Sequence, residues 1–208
     1  VTLPTVFDDP SDTHEEVMAA TYRALCTHGY ANLTIQRIAD EFPKSKSLLY
    51  HHYDGKDDLL LEFLEFILEG FESNVPAEEY VDARAHLEAL LDHVLPPEAD
   101  LEEKRRDFAS AIVELRTQAT HDRAYHDHFT RSSRFFHDRV VAIVETGIEE
   151  GVFRPVDPER VATVLMTVFD GTRFRRSTTD VAGTIPDLRA ELETYLEACV
   201  YAEREDAA

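Results

Sequence analysis

Two short apolar stripes separated by a proline govern what this chain can become. Between Leu33 and Lys56 the sequence reads LTIQRIADEFPKSKSLLYHHYDGK. Leu33, Ile35, Ile38, Ala39 and Phe42 recur at helical spacing, which sets them on one side of a first helix. Thr34 stands where a hydroxyl can accept from an orphan N–H of the first turn. Pro43 ends that helix, because its ring removes a donor and clashes with the preceding turn. It also drives Phe42 out of helical dihedrals. Ser45 then offers an N-cap for a second helix running through about Tyr53. Two helices with so short a break must cross steeply, the geometry of a DNA-binding helix-turn-helix.

Charge narrows the reading further. The chain has four lysines, Lys44, Lys46, Lys56 and Lys104, and three of them fall between positions 44 and 56 of a protein with net charge −21. A phosphate-binding surface explains that clustering, since each Lys or Arg set against a phosphate releases condensed counterions. The plainer explanation is a solvated helix with ordinary surface lysines. Against it, Ser47, Tyr50, His51 and His52 add donors to the same short helix.

Ala19-Ala20, Gly29-Tyr30, Leu33-Thr34-Ile35, Ile38-Ala39, Ser45-Lys46, Leu49-Tyr50-His51-His52-Tyr53, Lys56 and Leu59-Leu60 follow one another in a specific order and spacing. Through them, the stretch from about Glu15 to Phe66 resembles the DNA-binding domain of the TetR family of one-component regulators. Two positions depart from the family pattern. The turn is Phe42-Pro43-Lys44 where relatives carry a small residue, a glycine and an aliphatic, and Ser47 replaces the glycine that follows the Ser-Lys pair.

The rest of the composition bounds the class. A chain of 208 residues with 43% hydrophobic content can bury a real core. No apolar run approaches the roughly 18 residues of a membrane span. The N-terminal VTLPTVFDDPSD has neither the basic nor the apolar region of a signal peptide. Cys26 and Cys199 each sit in an apolar helical pattern and read as two buried thiols rather than a disulfide. A cytoplasmic protein is therefore expected. The chain has 42 acidic against 21 basic residues, 17 of the latter arginine. Such a surface repels DNA in dilute salt, but at molar ionic strength the Debye length is ~3 Å and the penalty largely vanishes. The composition thus points to a salt-rich cytoplasm of the kind halophilic archaea keep; an acidic partner-binding protein of an ordinary cell is the alternative.

Read in order, residues 1–12 form a flexible arm, 13–56 a helix-turn-helix domain, 57–75 a connector helix, 76–203 a second domain, and 204–208 a tail. Thr13 with Glu16, and Asp54 with Asp57, read as capping boxes, and Gly29 as the C-cap of the first helix. The connector is dense with Leu59, Leu60, Phe63, Leu64, Ile67 and Leu68. Further helices are expected at about 79–94, 101–120, 124–151, 158–175 and 186–202, with no strand pattern. The predicted class is all-α: a three-helix helix-turn-helix domain joined by a connector to a helical ligand-binding and dimerisation bundle.

What the resemblance implies about function follows residue by residue. Lys46, Ser47, Leu48 and His52 would face base edges. Thr34, Gln36, Tyr50, His51 and Lys56 would hold phosphates, with Ser45 opening the recognition helix. Lys44 either gains a phosphate contact or stays solvated, and Tyr53 packs into the core. A small-molecule pocket would have Phe108, Ile112, Leu115, Arg116, Phe129, Phe136 and Val140 in its walls, with Arg131, Arg134, His121, His126 and His128 as polar partners. The helices at 158–175 and 186–202 would pair with those of a second copy. A dimer would read a palindromic operator in double-stranded DNA. His126 and His128 are two apart and diverge on a helix, so no metal and no other cofactor is expected. No Gly-rich phosphate loop, nucleophile elbow or His-Glu-x-x-His motif occurs, so the chain does not read as an enzyme. The second function class is a helical dimeric interaction module without sequence-specific DNA binding. A ligand-released repressor is the function expected here.

Overall fold

The computed structural model describes residues 7, 9–44, 46–73, 80–95, 103–180 and 185–203, with backbone alone at 103–106. The described residues form helices α1 Thr13–Asn32, α2 Ile35–Glu41, α3 Lys46–His52, α4 Lys56–Ser73, α5 Ala83–Val94, α6 Glu103–Gln118, α7 Arg123–Glu149, α8 Pro158–Thr178 and α9 Ile185–Cys199. The all-helical class holds, and the only β-bridge among the described residues is the isolated pair Phe153↔Tyr201. The tail 204–208, Ser45, the segment boundary near 76 and most of the N-terminal arm lie outside the described residues.

The chain divides into two compact units: Val1–Val75 with Glu102–Ser132, and Pro76–Leu101 with Ser133–Ala208. Residues 102–132, which the sequence reading places in the second domain, thus cluster with the helix-turn-helix. The reason is apolar. Ala111 and Leu115 of α6, and Tyr125 and Phe129 of α7, share one core with Met18 and Leu25 of α1, Ile38 of α2, Leu49 of α3 and Phe63 of α4. Phe7, read as part of a mobile arm, is 6% exposed and stacks on Tyr22 with ring centroids 4.8 Å apart.

Local chemistry explains where these helices begin and end. Asp12, not Thr13, caps α1, its carboxylate accepting from Glu15 N–H at 2.8 Å. Gly29 breaks the helical path at φ 65° as expected, yet one further turn continues to Asn32. Thr34 caps α2 through Arg37 N–H at 3.2 Å. Phe42 is extended at φ −87° and ψ 126°, as a residue before proline should be. No box joins Asp54 to Asp57; Asp54 N–H donates to Asp58 at 3.3 Å, and the Asp57 carboxylate turns to two tyrosines.

The second unit is built around Leu87, Leu91, Val144, Leu165, Phe169 and Leu196. Asp157 and Pro158 open α8. A Cβ at Gly147 would lie 2.2 Å from the Phe153 ring, so only glycine lets that ring pass. Arg154 N–H donates to Val200 O at 2.8 Å and its guanidinium to Tyr201 O at 2.8 Å, tying the end of α9 to the turn after α7. Arg84 bridges Glu88 and Glu197 and lies 4.0 Å over the Tyr201 ring. Arg189 bridges Asp92 and Glu193 and donates to Leu95 O at 2.8 Å.

Candidate nucleic-acid interface

Leu49 is the buried anchor of the recognition helix α3. Leu49 is fully buried and Leu48 packs partly against the same core, while Lys46, Ser47, Tyr50, His51 and His52 are exposed. With seven residues the helix makes two turns, and burying one side of it leaves the rest in water. Ser47, Leu48 and His51 of this helix, with Lys44 from the turn before it, line an open depression of about 460 Å³.

The exposed groups are held in place before any DNA arrives. Tyr50 Oη donates to Gln36 Oε1 at 2.8 Å, and Gln36 Nε2 donates to Asp40 Oδ1 at 3.0 Å. Lys46 donates to the same Asp40 oxygen. This polar chain locks α3 against α2, and the Lys46 hydrogen bond, seconded by Gln36, holds the Asp40 carboxyl below its ordinary range. Lys44 crosses to α1, donating to Thr13 Oγ1 at 2.7 Å and pairing with Glu16 at 2.6 Å. The rings of His51 and His52 meet edge to face, 5.3 Å apart. Thr34 spends its hydroxyl on the cap of α2.

Of the predicted DNA contacts, the structure brings Gln36, Lys44, Lys46, Ser47, Leu48, Tyr50 and His51 together through these bonds and this depression. Lys56 has a separate setting. Its ammonium donates to Tyr30 O at 3.1 Å and lies 4.0 Å over the Tyr30 ring. Tyr53 is half buried with its hydroxyl on Glu62 at 3.2 Å. Sequence reasoning passed over Arg23 of α1. Its guanidinium donates to Glu41 O at 3.0 Å, satisfying the C-terminal end of α2. It also gave no joint role to Tyr30, Asp57 and Glu114, whose linkage comes from packing between distant segments and left no local signal.

The predicted small-molecule walls fall in two places. Leu115 and Phe129 are buried in the first unit's core with Phe108 and Ile112 packed against it, and the Arg116 guanidinium is 5.6 Å from the Phe129 ring centre. Val140 is buried in the second unit's core, and Phe136 meets Phe135 edge to face. Arg131 pairs with Glu65 on α4. His126 and His128 do diverge: one is exposed, the other 8% exposed and 3.3 Å from Glu65. Among the described residues, no three His, Cys, Asp or Glu side chains group as metal ligands. Cys26 is half buried and its thiol is raised to about 11 by burial; Cys199, read as buried, is exposed.

A short, cationic, outward-facing second helix on a three-helix support defines a helix-turn-helix DNA-binding protein. The relatives narrow the class. Residues 17–63 match the family "Bacterial regulatory proteins, tetR family", and residues 83–201 match "BetI-type transcriptional repressor, C-terminal". A TetR transcription regulator from Haloarcula marismortui is 40% identical, with TM-score 0.79, over 91% of this chain and 99% of that one. The chain belongs to the TetR family and is a DNA-binding transcriptional repressor of that type, not an enzyme. Among curated relatives, the HTH-type transcriptional repressor AcnR of Corynebacterium glutamicum is 24% identical over 82% of this chain and 85% of its own length. The same fold recurs in a regulator from Saccharomonospora viridis solved in complex with choline, 23% identical with TM-score 0.75, over 91% and 98% of the two chains. No described helix is long and apolar enough to cross a membrane.

Proposed function

We propose that this repressor acts in the cytoplasm as a homodimer on a palindromic operator and is released from it by a small molecule. The observation that carries the DNA half is the tip itself: exposed cationic and hydroxyl groups on a helix anchored by Leu49, in a protein of net charge −21. Lys46, Ser47, Leu48 and His52 meet base edges. Thr34, Gln36, Tyr50, His51 and Lys56 hold phosphates, and Lys44 adds a backbone contact at the rim.

The dimer has its own support. On α8, Val164 and Phe174 are 41% and 54% exposed, and a Cβ at Gly171 would meet nothing within 4 Å. These positions share a helix face, and α8 with α9 of a second copy would cover them as a two-fold four-helix bundle. The effector works by binding one conformation better than the other, with α4 as the connector; a coupling of about 1–3 kcal/mol is typical.

The test is selection of duplexes from a random pool at about 2 M KCl, where surface repulsion is screened, followed by footprinting and sedimentation. A palindromic site bound by two chains supports the reading. Failure to enrich any sequence would leave the helical interaction module in its place. Choline, seen in the Saccharomonospora structure, is the first compound to titrate against the bound duplex; a screen of small molecules follows.

A further inference from the structure

The Tyr30 amide finds its acceptor outside its own helix. Gly29 stands at φ 65° and ψ 162° inside α1, so the helical ladder breaks there and the next N–H is left over. Glu114 of α6, 84 positions along the chain, accepts it at 2.6 Å. A side-chain oxygen on an orphan N–H at the start of a helical turn is a cap, supplied here by another helix. The positive φ favours glycine at 29, and a Cβ there would also lie 3.4 Å from both Glu114 oxygens.

The other ends of Tyr30 are equally committed. Its hydroxyl donates to Asp57 Oδ1 at 3.0 Å, and the hydroxyl of Tyr125, on the first turn of α7, donates to the same oxygen at 3.2 Å. Burial, then the neighbouring carboxylate, raises the Tyr30 phenol to about 12 and pushes Tyr125 higher still, so both remain donors. The Tyr30 carbonyl and ring face of the same residue hold the Lys56 ammonium. An ammonium has three protons; the carbonyl takes one and leaves two for a phosphate.

We infer that Tyr30 is a positioning residue for the phosphate contact of Lys56, and that Glu114 and Tyr125 are the points through which α6 and α7 set it. This rests on the reading that Lys56 meets the DNA backbone. Glu114 and Tyr125 lie within the stretch that matches the BetI-type repressor part. A shift of α6 or α7 therefore reaches a DNA contact through two hydrogen bonds, without any change in the recognition helix.

A double-mutant cycle tests it, read by fluorescence anisotropy on the duplex that the wild type selects. Glu114→Ala and Tyr125→Phe are each made alone and with Lys56→Ala. Alone, each lowers affinity about five- to tenfold, the scale of one ordinary hydrogen bond. In the Lys56→Ala background each adds less than about twofold, because the contact they set is gone. The slope of log affinity on log salt becomes shallower by ~1 in Lys56→Ala, and likewise in Glu114→Ala. Losses that multiply with Lys56→Ala, or no loss at all, overturn the inference while DNA binding stands. Tyr125→Phe keeps the buried ring, so it decides the matter if Glu114→Ala loosens the fold. A Lys56→Ala protein with unchanged affinity and slope removes the phosphate role itself. A wild type that selects no duplex fails the DNA reading before this one is reached.

Discussion

In the second unit, the Arg189 side chain is 17% exposed and spends its guanidinium on Asp92, Glu193 and the Leu95 carbonyl. At the tip of the first, Lys46 is 50% exposed and, among the described residues, pairs with Asp40, itself 54% exposed. Both are cations on an acidic protein, and both are paired. They differ in what a newcomer would have to displace. Arg189 is a planar fork filled on three sides by protein acceptors, the kind of site for which Arg is suited. Lys46 is a flexible point charge with two protons to spare. Pairing alone therefore does not separate a structural cation from a binding one; exposure and remaining donors do.

The sharpest test of that contrast is Arg189→Ala. It leaves two carboxylates facing each other and a carbonyl without its donor, and should lower the stability of the fold by about 2 kcal/mol. Urea unfolding measures it, while the affinity of the remaining folded protein for its duplex stays the same. Lys46→Ala should do the reverse: no shift in the urea midpoint, an affinity loss of about tenfold, and a relaxed preference at one base position. If Lys46→Ala destabilised the fold more than Arg189→Ala, the distinction would be wrong.

A smaller effect belongs to His128, against α4. Burial holds its imidazole below the ordinary value of 6.5. The Glu65 carboxylate 3.3 Å away offers little relief, because Arg131 already pairs with it. The unfolded chain then binds the proton more readily, so stability falls as pH drops through about 6.5 and below. The decline between about pH 7 and 5 should be shallower in His128→Asn by under 1 kcal/mol. An identical decline in both proteins would show that His128 is not desolvated. The least effect is expected from Lys44→Ala, which gives up a rim contact: affinity should fall by less than about threefold and the salt slope by less than one.

Much of this tip was legible before any coordinates, because its signals are local. Thr34, Pro43 and the spacing of Ile38, Ala39 and Leu49 each act within a turn or two of themselves, and the helices they imply are present. Capping boxes were less safe. Asp12 outcompetes Thr13 as a cap, and Asp57 is drawn away by two tyrosine hydroxyls that arrive from α1 and α7. The candidates for a pocket share helical spacing, yet Phe108, Ile112, Leu115 and Phe129 belong to one core and Val140 to another. Periodicity says that a side chain faces inward, not which interior it faces. The assignment of residues 102–132 to the helix-turn-helix unit has the same origin: it depends on which apolar stripes meet, and the order of elements along the chain is silent about that.

Asp40 gives the reading face an unusual property. A phosphate approaching Lys46 meets an ammonium that already has an anionic oxygen, so docking is a substitution of one oxyanion for another. The ions set free from the duplex are partly offset by ions that the vacated carboxylate must take up. Operator occupancy should then respond to ionic strength less steeply than the number of basic residues on the tip would suggest. Added salt would loosen such a grip less than it loosens one made by free ammonium groups.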